Sequence, residues 1–244
     1  MNKKLSSLIC FALIVIISIP AISIVFAGKP DRGPLEKIVF IHYKKGYGKP
    51  PGTPGKGSEK GYYDLFGKGI EWKTLPVTYV INPDNPDGLT EEFIVSAISA
   101  SAEEWDKNTE TELFSSYTID YSASWDPYAP DYENELVFGD YDEPGVIAVC
   151  IVWGYFSGPP KYRRIVEFDI MFDTDYTWGD ASDGSNVMDL QNIATHELGH
   201  GIGLADLYDY SASEETMYGY SGYGETMKRT LHFGDIAGIQ KLYG

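Results

Sequence analysis

Cysteine is almost absent from this chain: among 244 residues only Cys10 and Cys150 carry a thiol. Cys10 falls in an N-terminal stretch that reads as a removable leader. Cys150 would then stand alone, which excludes an internal disulfide. Its neighbours in VIAVCIVWGY are apolar rather than cationic, a setting for a buried strand residue and not for a reactive thiol. Basic residues are also few, 19 Lys and Arg against 36 Asp and Glu, a net charge of −17. Such an imbalance opposes nucleic acid or anionic lipid as a partner and favours cations or basic ligands. Histidine occurs only four times, so where it clusters carries weight.

No segment after residue 26 is long and apolar enough to cross a membrane. Before it, Lys3 and Lys4 precede the apolar stretch Leu8–Ile19, then Pro20 and the small-residue site Val25-Phe26-Ala27. This is the pattern of a secretory signal cut after Ala27. An uncleaved anchor is the competing reading, since Leu5–Phe26 reaches the about 20 residues a bilayer core needs. Cleavage removes two lysines and no acid, taking the net charge from −17 to −19. The expectation is a secreted protein with no stable membrane association, most simply a monomer.

Residues 28–72 are rich in Gly, Pro and Lys and read as a linker or pro-segment, although KIVFIHY within them has the makings of a strand. The folded domain is expected over residues 73–244. Leu75, Val77, Tyr79 and Ile81 alternate as in a half-buried strand. A helix follows, with Thr90 as cap, Glu91 and Glu92 in its first turn, and Ile94, Ile98, Ser101 and Trp105 on one face. SSYTIDY, NELVFGD, GVIAVCIVWGY and RRIVEFDIMFD read as strands. A second helix is expected from Val187 to Gly201, capped by Asn186 and answered by Asp189, and a last one over Asp235–Leu242. The pattern predicts an α+β domain: one twisted mixed sheet, a packing helix, an active-site helix and a C-terminal helix.

The chemistry concentrates in THELGHGIGLADLYD, residues 195–209. His196 and His200 are four apart, so on a helix they face the same side and can hold one zinc ion. Glu197, next in sequence, points slightly round the helix and can reach a water on that ion without ligating it. A catalytic zinc needs a third protein ligand and an open fourth position. Gly201 and Gly203 allow the chain to turn back, and Asp206 follows at the distance to offer an oxygen. Glu214, Glu215, Glu225 and His232 remain as alternatives, without the glycine-turn register.

HELGHGIGLAD resembles the metzincin signature HExxHxxGxxH, with Asp in the last place as in the snapalysin-type pattern. EETMYGY resembles the metzincin Met-turn, FDIMFDTDYTWG and the Trp105 helix are matrixin-like, and GDIAGIQKLYG resembles the final matrixin helix. The resemblance spans about residues 72–244. It implies a zincin-type α+β fold and a zinc endopeptidase acting on protein or peptide substrates. His196, His200 and Asp206 would be the metal ligands, Glu197 the general base, and Met217 a packing base under the metal. Tyr218 to Tyr223 would wall the pocket for the substrate residue after the cut bond. Met171 replaces a family histidine, so a second zinc is not implied. Asp173 matches a calcium-binding Asp, with Asp169, Asp175, Asp180 and Asp183 as candidates to complete a Ca2+ site in place of the carboxylate that Tyr176 replaces. Gly234 replaces the first of two matrixin aspartates. With no cysteine in the pro-segment, a thiolate latch is excluded, leaving Asp64 or His42 as conceivable substitutes. The alternative is a non-catalytic secreted zincin-scaffold protein for binding or adhesion.

Overall fold

The computed structural model describes residues 32–48 and 62–244. The expected secretory signal lies outside the described residues. In chain order the first elements are β1 (Glu36–Lys44), β2 (Asp64–Leu65), β3 (Val77–Ile81), α1 (Glu91–Asp106), β4 (Phe114–Ile119), β5 (Glu135–Gly139) and β6 (Val146–Tyr155). Then come β7 (Arg164–Asp173), β8 (Trp178–Gly179), β9 (Met188–Asp189), α2 (Leu190–Gly201), β10 (Leu204–Ala205), β11 (Tyr220–Ser221) and α3 (Phe233–Tyr243).

Seven strands form one mixed sheet in the order β11-β1-β6-β7-β5-β3-β4. β7, β5, β3 and β4 run parallel, while β6 is antiparallel to both of its neighbours, β7 and β1. Every residue of β6 is buried, which explains why GVIAVCIVWGY shows no alternation: both its edges and both its faces are covered. Cys150 is enclosed here, and burial pushes its thiol well above the usual range.

α1 and α2 pack on one face of the sheet. Ile94, Ile98, Ser101 and Trp105 are all buried, as the α1 periodicity predicts, and Thr90 caps the helix by accepting from Phe93 N. The Trp105 indole donates to Thr195 O at 2.8 Å, and Ser101 Oγ donates to Gln191 O at 3.1 Å. These bonds tie α1 to the helix that carries the site. The opposite face is covered by a smaller cluster in which Val149, Ile151 and Trp153 meet Trp125 and Tyr141.

Two features of the fold go beyond what the sequence pattern foretells. KIVFIHY docks as β1 inside the sheet, and Asp64–Leu65 pairs with β10, so the described parts of 28–72 belong to the body of the domain. The apolar alternation of Ile38, Phe40 and the buried His42 outweighs the Gly/Pro-rich flanks. The cap of α2 is Asp189 rather than Asn186, because Met188–Asp189 is held extended against Trp178–Gly179. Asp189 Oδ1 accepts from Asn192 N at 2.9 Å and from Arg229 Nε at 2.8 Å.

Candidate metal centre

α2 presents His196 and His200 on its inner face, and the turn after it brings Asp206 against them. Gly203 makes that turn, with a φ of +113° that a side chain would strain. Gly201 is bare for a different reason, since a Cβ there would stand 2.9 Å from the Phe168 ring. The carbonyls at the helix end are satisfied by distant side chains. Trp72 Nε1 donates to Gly201 O, and the Tyr243 hydroxyl donates to Ile202 O, both at 2.8 Å. β2 braces the next residues, with Asp64 paired to Ala205 immediately before Asp206.

Each imidazole is oriented by its Nδ1–H, which donates to a carbonyl: Thr216 O at 2.7 Å for His196 and Leu204 O at 2.8 Å for His200. Both Nε2 atoms therefore point inward. They lie 3.1 Å apart, and Asp206 Oδ1 stands 3.2 Å from His196 Nε2 and 3.5 Å from His200 Nε2. Ligand atoms at about 2.0–2.1 Å from a tetrahedral zinc are separated by about 3.3 Å, which matches all three edges of this triangle. The other carboxylate oxygen of Asp206 accepts from the Tyr208 hydroxyl at 3.0 Å, while Oδ1 has no hydrogen-bond donor among the described residues. Three inward-facing acceptors this close, sealed from water, fit a cation between them.

The charges of His196 and Asp206 agree with that arrangement, while at His200 burial acts downward but the Asp206 carboxylate outweighs it and raises the ring. Burial, opposed only in part by Asp206, brings His196 down to about 3, so the ring is neutral and fit to ligate. For Asp206 burial acts upward, but the His200 and His196 rings outweigh it and hold the carboxyl well below its ordinary value.

Glu197 is fully buried beside this triangle, and burial pushes it up to about 8. Its Oε1 lies 4.0 Å from His196 Nε2 and 3.0 Å from His42 Nδ1, while Oε2 has no partner among the described residues. His42 Nε2 in turn lies 3.2 Å from Lys228 Nζ, which also donates to Tyr218 O. One arrangement satisfies this chain: Lys228 donates to Nε2, and the neutral His42 donates from Nδ1 to Glu197. Burial, with the Lys228 charge beside it, lowers His42 well below its usual value, and burial brings Lys228 down to about 7. Sequence spacing gave no sign of Lys228.

Behind the site, Thr216 N and Met217 N donate to the Asp235 carboxylate at 2.6 and 3.1 Å, so α3 clamps this turn. Met217 is fully buried under the helix, and Gly199 lets it approach; a Cβ there would stand 2.4 Å from its sulfur. The matrixin family model matches residues 71–244. The chain belongs to the matrixin family. Stromelysin-1 of Mus musculus is 28% identical over 185 residues, which is 75% of this chain and 35% of that protein. Stromelysin-1 of Rattus norvegicus is 27% identical over the same length. The chain thus spans about a third of the length of these relatives.

Within this matrixin domain the other third-ligand candidates are engaged elsewhere. Glu215 accepts from Gly234 N and Asp235 N, Glu214 and His232 approach each other at 3.8 Å, and Glu225 pairs with Lys45. Gly234 has a local cause: a Cβ there would stand 2.2 Å from the Tyr62 carbonyl oxygen. The five acids named for calcium do not form one site. Asp173 and Asp175 converge with Asp140, Asp169 lies instead beside Glu135, Asp180 pairs with Arg229, and Asp183 accepts from Ser185 N. Tyr218 and Tyr220 line a pocket with Tyr47, Tyr210 and Met227, whereas Tyr223 packs on Tyr176.

Proposed function

We propose that this chain is a secreted zinc-dependent endopeptidase. The observation that carries the reading is the triangle of His196 Nε2, His200 Nε2 and Asp206 Oδ1, with the carboxylate of Glu197 beside it. Membership of the matrixin family supports it. Secretion is inferred from the N-terminal sequence, and no helix among the described residues is long and apolar enough to cross a membrane.

His196, His200 and Asp206 would hold the ion, which when bound supplies a Lewis acid that activates water and stabilises charge on the attacked carbonyl oxygen. Glu197 takes the proton from the attacking water at a carboxylate oxygen and delivers it to the departing amine nitrogen. Thr216 O and Leu204 O fix both rings, and the Tyr208 hydroxyl fixes Asp206. Tyr218 and Tyr220 would favour an apolar or aromatic residue after the cut bond. A non-catalytic binding protein on the same scaffold would have no use for Glu197.

The test is digestion of casein by the purified protein with and without a chelator. Cleavage lost on chelation and restored by Zn2+ is expected; cleavage indifferent to both would overturn the proposal.

A further inference from the structure

We propose that Lys228 is a specificity-determining residue: its ammonium group stands at the end of the pocket for the substrate side chain after the cut bond. There it selects a side chain that ends in a hydrogen-bond acceptor, glutamate above all. This deepens the peptidase reading of the site and rests on it. Lys228 lies in the short turn Met227–Arg229. Met227 beside it is exposed and Arg229 reaches Asp180 at the surface, but Lys228 is only 3% exposed. Its backbone is fixed from two sides. The Lys228 N–H donates to Asn192 Oδ1 on α2 at 2.7 Å, and its carbonyl accepts from Thr216 Oγ1 at 3.5 Å. Held so, the side chain runs inward, where Nζ donates to Tyr218 O and lies 3.2 Å from His42 Nε2. A buried ammonium is costly unless its charge is met. Glu225, Asp206, Glu197 and Asp235 act on it only from a distance, and no carboxylate pairs with it among the described residues.

His42 shows what can reach that group. Its ring lies 3.9 Å from that of His196, and its Nδ1 is 3.0 Å from Glu197 Oε1. One edge of the ring thus touches the reacting centre while the other touches Lys228. The backbone of His42 pairs with Ala148 on β6. A peptide extended along β6, with the bond to be cut between Glu197 and the triangle, would bring a side chain to the same place. Extended peptides are bound in this manner, main-chain bonds giving affinity and side-chain pockets giving specificity. The Tyr218 ring, whose centre is 5.8 Å from Lys228 Nζ, marks this as the side of the residue after the cut bond. Histidine Nε2 stands as many bonds from Cα as the terminal oxygen of glutamate or glutamine, and one more than that of aspartate. Glutamate in this position would present a carboxylate to Nζ, a charge-assisted bond in a place closed to water. Leucine would leave the buried ammonium without that partner, and an unmet buried donor is the costlier outcome. The Tyr218 wall and the Lys228 end therefore act on different atoms: the ring flanks the stem of the side chain, and the ammonium reads its tip.

The test uses the full-length, zinc-loaded chain and two peptide hydroxamates. They differ only in the side chain nearest the chelating group, glutamate in one and leucine in the other. Binding is read by calorimetry in wild type and in Lys228→Met, which keeps the length and removes the donor. Wild type should bind the glutamate probe at least about tenfold more tightly, the scale of a hydrogen bond to a charged group. Lys228→Met should lose or invert that preference. Cleavage of matching peptides, with the cut bond fixed by mass spectrometry, should follow the same order in kcat/KM. Equal binding of the two probes by wild type would overturn the proposal, as would a glutamate preference kept in Lys228→Met, or failure of both probes to bind. Should Lys228→Met not fold, the wild-type ratio decides alone. A glutamate preference in binding without cleavage of any peptide supports Lys228 as the selecting donor and removes the peptidase reading instead.

Discussion

Asp206 presents two unlike oxygens: one is bonded to the Tyr208 hydroxyl, and the other faces two imidazole nitrogens with no donor among the described residues. A carboxylate in that place lowers the net charge around a bound zinc compared with a third histidine, so water at the open position loses its proton less readily. The acidic limb of the pH profile of cleavage is therefore expected at higher pH in wild type than in Asp206→His. Coincident profiles would count against Asp206 as a ligand. Glu197→Gln should retain zinc, measured by metal analysis, while cleavage falls by about 100-fold or more, the scale of a lost general base. The triangle was legible because its three members lie within eleven positions, and helix geometry with one glycine turn brings them together. His42 and Lys228 were not selected by that reasoning, since their contacts span 155 and 186 residues and nothing local encodes them.

Among elements, α2 is the most constrained. Gly199 faces Met217 and Trp105 so closely that a methyl group would stand 2.4 Å from one and 2.7 Å from the other. Gly199→Ala should destabilise the protein by about 1–3 kcal/mol through overpacking, read from denaturant unfolding. An unchanged midpoint would show that the two helices and the Met217 turn are looser than their contacts imply. α1 and β3 follow their sequence patterns, because local capping and alternation agree with what packs on them. The start of α2 did not, because Asp189 is recruited by Arg229 and by the amides of Asn192 and Ala181, partners up to 40 residues away. β1 was obscured by its flanks: composition describes the stretch around it, while the apolar alternation that docks it occupies only a few residues.

Across the whole molecule the acidic excess reaches inside. Glu135, Glu167 and Asp169 are buried together on neighbouring strands, and burial raises the first two to about 7 and, with their charges, the third to about 9. A carboxyl raised in the fold keeps a proton that the unfolded chain releases, so its contribution to stability declines as pH rises. Between about pH 5 and 8, Asp169→Asn should show a smaller fall in melting temperature than wild type. Equal slopes would mean that this group is compensated in the fold. Everything proposed for the site rests on an ion inside the triangle of His196, His200 and Asp206. Anomalous diffraction at the zinc edge from crystals grown without added chelator tests this most directly. One peak per chain, about 2.0–2.1 Å from all three ligand atoms, is the expected result. A metal-free triangle in zinc-supplemented crystals, or zinc bound elsewhere on the chain, would contradict it.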